Sequence, residues 1–87
     1  MKKPSFADVK LDLEEACAFL RGFTLARHGF TQQDGVAGIR RVTSCCDRME
    51  ELFGAGPDAK ESAAIVASAR PRVWAAEARL ALLRKIS

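Results

Sequence analysis

The sequence predicts an all-α fold, and three observations carry that reading. Apolar or small residues recur at spacings of three and four along three successive segments. Each segment opens on Ser, Thr or Asp with an acidic residue three places on, the signature of a capped helix start. Gly- and Pro-containing breaks separate the segments, and no short alternating run between turn residues argues for a strand. The expected architecture is an antiparallel hairpin of two helices with a longer third helix, kinked by Pro71, packed along it. That is a three-helix bundle, or four helices if the third splits at Pro71. With 87 residues the chain makes one domain, spanning 1–87.

Helix 1 is expected over residues 6–28. Ser5 with Asp8 forms its capping pair, Gly29 supplies a left-handed stop, and Val9, Leu13, Ala16, Leu20 and Phe23 make the buried row, with Phe19 beside it. Thr31 with Asp34 repeats the start signature at once, so the link is short and the next helix must turn back antiparallel. Phe30 is placed to staple that turn. Helix 2, residues 32–53, is expected to bury Ile39, Val42, Cys46, Met49 and Phe53, and to end at the Gly54-Ala55-Gly56-Pro57 breaker.

Helix 3, residues 59–86, should start on a third capping pair, Asp58 with Glu61. Its row is the longest: Ser62, Val66, Ala69, Val73, Ala76, Leu80 and Leu83. Pro71 removes one backbone hydrogen bond inside this helix and crowds the carbonyl four residues back, so a kink is expected near residue 70. Trp74, Leu82 and Ile86 form a second apolar flank outside the row. One stripe serves the hairpin; the other needs a different cover, either a wider bundle core or a partner.

Composition narrows the functional classes. A content of 48% hydrophobic and 29% charged residues is that of a water-soluble globular chain rather than a disordered one. No apolar run approaches the roughly 18 to 20 residues of a membrane span, and Lys2 and Lys3 precede no signal-peptide core. Three cysteines, Cys17, Cys45 and Cys46, cannot all pair within one chain, which favours a reducing, cytoplasmic setting. The net charge of +3 follows helix ends: Asp8, Asp12, Glu14 and Glu15 near the start of helix 1, and Arg79, Arg84 and Lys85 near the end of helix 3.

The chain carries no Gly-rich phosphate loop, no HExxH and no GxSxG, and its adjacent carboxylates, Glu14 with Glu15 and Glu50 with Glu51, diverge on their helices. No enzyme, cofactor or metal is therefore expected. Cys17 and Cys46 come to similar heights in the hairpin, but Cys45 and Cys46 point about 100° apart and no Cys-x-x-Cys spacing exists. His28 reads as a favourable charge at a helix end. What remains is a small, non-catalytic interaction protein that regulates, inhibits or assembles another macromolecule through exposed helix faces. A protein partner, a homodimer included, is the expectation, with Arg70, Arg72, Trp74, Arg79 and Leu82 as the contact residues, because tryptophan and arginine dominate interface energies.

Residues 25–50 support an alternative. Gly29, Phe30, Thr31, Gln32 and Asp34, followed by Ile39 and then Arg48, Met49 and Glu50, resemble the helix-turn-helix of Cro and phage-repressor type regulators. In that family a G-[LF]-T-Q-x-[DE] start opens the motif and R-[IM]-E closes the recognition helix. The resemblance implies a DNA-binding transcriptional regulator in which Gln32 approaches the DNA backbone and Thr43, Ser44 and Arg48 lie on the recognition helix toward DNA.

Overall fold

A computed structural model describes residues 3–26 and 29–86. Its order is α1 (Phe6–Leu25), α2 (Gln32–Phe53) and α3 (Ala59–Ile86), and every pair of helices is in contact. No strand occurs among the described residues. None of these helices is long and apolar enough to cross a membrane.

Two helix starts form as their residues dictate. The Ser5 hydroxyl accepts from the Asp8 N–H at 3.1 Å while the Asp8 carboxylate accepts from the Ser5 N–H at 3.4 Å. Thr31 and Asp34 repeat this reciprocal box at 3.1 and 2.8 Å. Each box satisfies donors that a helix N-terminus otherwise leaves without partners. The third box is not made: no bond joins Asp58 to Glu61. The Asp58 carbonyl takes the Ser62 N–H at 2.8 Å, and the Glu61 carboxylate reaches across to Lys10 Nζ at 3.2 Å. An ion pair to another helix has replaced the local cap.

α1 ends three residues short of the expected 28. Ala26 adopts extended backbone (φ −73°, ψ 140°) after its N–H closes the last bond, 2.9 Å to the Gly22 carbonyl. The Ala26 carbonyl, no longer available to continue the helix, accepts from the Arg79 guanidinium of α3. Gly29 does take the left-handed conformation (φ 90°), but within the connection rather than against the helix end. His28 lies outside the described residues.

Cross-helix partners fix the directions. Asp12 and Glu15 on α1 meet Arg48 and Arg41 on α2, so the order of partners reverses and the hairpin is antiparallel. Lys10 meets Glu61 and Ala26 meets Arg79, so α3 runs parallel to α1. Phe30 packs edge-on against Phe19 and Phe23 at 5.7 and 6.3 Å, stapling one end of the hairpin. Phe6 and Phe53, 5.3 Å apart, close the other end.

The core is the set of facing rows. Val9, Leu13, Ala16, Leu20 and Phe23 are buried on α1, and Ser62, Val66, Ala69, Val73, Ala76 and Leu80 on α3, with Leu83 half-buried. The α2 row is corrected: the buried residues are Gly35, Gly38, Val42, Cys46 and Met49, while Ile39 and Phe53 are half-buried flanks. The cause is close approach. A Cβ on Gly35 would lie 2.4 Å from Cζ of the buried Phe23 ring, and one on Gly38 would lie 2.9 Å from Leu20 Cδ1. The two glycines are what let the N-terminal half of α2 sit down on α1.

α3 stays helical through Pro71, so the described residues form three helices and not four. Pro71 and Ala67 both face solvent. The carbonyl deprived of its partner by the proline therefore lies on the wet side of the helix.

Candidate functional site

The outward side of α3 is where the sequence and the packing disagree. The core side is settled by the 3/4-spaced row, and a surface helix should carry charge on the opposite side. Here Ala63, Ala64, Ala67, Pro71, Trp74, Ala75, Ala78, Ala81 and Leu82 are all exposed and all apolar. Trp74 is 63% exposed, Leu82 56% and Ile86 74%. Charged side chains stand only along the edges of this surface, Arg70 and Glu77 on one and Arg72 and Arg79 on the other, and at its ends, Lys60 and Lys85. At ~1.5 Å per residue the uncharged stretch from Ala63 to Leu82 is roughly 28 Å long.

The expected contact residues divide into two groups. Trp74 and Leu82 lie on this outer face and touch solvent. Arg72 is exposed at its edge, beside the groove between α1 and α3. Arg70 is half-buried and donates to Glu50 Oε1 of α2 at 2.6 Å, a bond that raises its already high pKa. Arg79 is also half-buried. Its terminal nitrogen holds the Ala26 carbonyl, and its Nε is buried without a hydrogen-bond partner. The structure thus gives Arg79 a task inside the fold, tying the end of α1 to α3, and brings Trp74 and Leu82 together with Arg70 and Arg72 around one surface.

The residues of the repressor-like motif are arranged otherwise. α2 is a single unbroken helix from Gln32 to Phe53, so it contains no bend of the kind that separates the two short helices of a helix-turn-helix. Arg48 is exposed and lies 3.9 Å from Asp12, Ser44 is exposed, and Thr43 is half-buried.

A groove between α1 and α3 has a floor of Leu13, Cys17, Ile65 and Ala69 and a rim that includes Glu14, Arg21 and Arg72. Burial raises the Cys17 thiol's pKa, with Arg72 acting the other way. Burial pushes Cys46 up to about 11 and raises Cys45 as well. Thiols held protonated in this way are poor nucleophiles and poor metal ligands. All three are free, and no group of three or more His, Cys, Asp or Glu side chains among the described residues is arranged to hold a metal.

Compared with family models, with curated proteins and with solved structures, the chain matches none. The class of protein therefore has to be argued from the surface alone.

Proposed function

We propose that this chain is a small, non-catalytic helical interaction protein that acts on another protein by docking the outer face of α3. The observation that carries the reading is the run of nine exposed apolar residues from Ala63 to Leu82, centred on Trp74 and free of charge along its length. Leaving that much contiguous apolar surface in water is unfavourable at about 25 cal/mol per Å², and such faces on soluble domains mark protein contacts. Trp74 is suited to anchor the contact, since a large rigid aromatic side chain gains much area at little entropy cost. Arg70 and Arg72 at the edges would add polar rim contacts around it.

The test is capture of partners by the tagged chain after nuclease treatment, comparing wild type with Trp74→Glu and Leu82→Glu. Both variants should keep native helicity and melting temperature while losing the captured protein. Retained capture by both variants, or dependence on intact nucleic acid with a steep loss on added salt, would overturn the reading.

A further inference from the structure

We infer that the groove between α1 and α3 binds an amphipathic monoanion, a carboxylate carried on an apolar body the length of a medium alkyl chain. This site is separate from the outer face of α3 and does not rest on how that face is covered. The groove encloses about 530 Å³, inside the about 300–1,000 Å³ of small-ligand sites. The small residues Ala18, Ala64 and Ser68 line its sides and leave its apolar floor open. Two bonds fix the levels of its walls: Lys10 meets Glu61 and Ala26 meets Arg79, separations of 51 and 53 residues. Arg21 and Arg72, 72 − 21 = 51 residues apart, therefore stand at one level on opposite walls. Arg72 opposes the rise in the Cys17 thiol's pKa, which places its guanidinium on the groove side of α3.

The charges of the groove select the ligand. Those lining it are Glu14, Arg21, Glu61 and Arg72, and Glu61 is already engaged by Lys10 at 3.2 Å. The other three make no ion pair among the described residues. Glu14 stands two turns from Arg21 along α1, roughly 10 Å, too far to neutralise the arginine pair. One anionic group between the two guanidiniums meets planar donors from both walls. The Ser68 hydroxyl, one turn before Arg72 and in no hydrogen bond among the described residues, is a further donor. From that level the floor runs back over Cys17 and Ala69 to Leu13 and Ile65, roughly 12 Å along α1. Glu14 flanks this far end, so a second anionic group is disfavoured there and the ligand has one orientation. A cationic amphiphile would gain only Glu14 and would face two arginines. Because the groove is open and its arginines are exposed, a ligand of about a dozen heavy atoms binds weakly, in about the 0.3–3 mM range.

Titration of the isotope-labelled full chain with decanoate, read from its amide NMR shifts, tests this. The shifts should saturate and gather at Cys17, Ala18, Ile65 and Ser68. Arg21→Ala and Arg72→Ala remove exposed side chains that hold no ion pair among the described residues, so both variants should fold as wild type. Each should bind decanoate about two- to five-fold more weakly, the scale of one exposed ion pair, and the double variant more weakly still. Trp74→Glu, on the outer face, should bind it as wild type does. Decylamine, the same body with a cationic head, should bind more weakly than decanoate. No saturable shift up to about 10 mM, equal binding of decylamine, or unchanged affinity in the double variant overturns the proposal. Shifts confined to the outer face and lost in Trp74→Glu overturn it too, and leave the docking surface on α3 standing.

Discussion

At the scale of single residues, the contacts that matter most are those of side chains that are missing. Gly35 is buried in a helix interior, where glycine is costly by roughly 1 kcal/mol relative to alanine. It is held there by the Phe23 ring, 1% exposed, whose edge occupies the space a Cβ would need. Gly35→Ala should therefore destabilise the fold despite its better propensity, by about 1–2 kcal/mol net of that gain. Gly38→Ala should cost less, because its closest contact, at 2.9 Å, is the end of the Leu20 side chain and the Phe19 ring lies at 3.1 Å, against 2.4 Å to the Phe23 ring at Gly35. Urea unfolding of the two variants checks the order; a more stable Gly35→Ala would show that α2 does not lie as close to α1 as described.

These glycines also show where the sequence stops being readable. On α1 every core residue was legible because Val9, Leu13, Leu20 and Phe23 announce burial by their own chemistry. On α2 the true row passes through Gly35 and Gly38, which carry no apolar signal, and spacing alone favours Ile39 and Phe53. The burial of a glycine depends on which ring lies across the hairpin, and that is a tertiary fact. Trp74 and Leu82 were legible as a second flank for the opposite reason: large apolar side chains outside the core row stand out by their own chemistry, and both are exposed.

At the scale of elements, helix starts were more legible than helix ends. The boxes at Ser5 and Thr31 are local and formed as their residues predict, whereas the pair at Asp58 was lost to a distant competitor, Lys10. The end of α1 was likewise decided from outside, by Arg79 reaching the Ala26 carbonyl. Among the arginines expected to bind a partner, this one should behave differently from the rest. Arg79→Ala should lower stability by about 1–3 kcal/mol, the range for a partly buried bond from a charged group. Trp74→Ala should change it by no more than about 0.5 kcal/mol. Thermal and urea melts of the two variants separate the roles, and equal losses would contradict the assignment of Trp74 to the surface and Arg79 to the fold.

At the scale of the whole molecule, the fold is an up-down-up bundle whose longest dimension, 46 Å, is set by α3. The core contacts of α3 extend to the half-buried Leu83, while its neighbours Leu82 and Ile86 stay exposed. One helix is thus asked to do two things: its core row completes the hairpin, and its outer face stays without cover. Local chemistry made the first task visible in the sequence, and only the packing of all three helices shows which apolar residues are left for the second.

Trp74 is the chain's sole tryptophan, so its fluorescence reports on that outer face and nothing else. Dilute, folded protein should give a red-shifted emission, quenched by acrylamide nearly as well as in urea, with a blue shift and protection as the face becomes covered. A blue-shifted, quencher-resistant emission from the dilute folded chain would place Trp74 in the core and contradict an exposed docking face on α3.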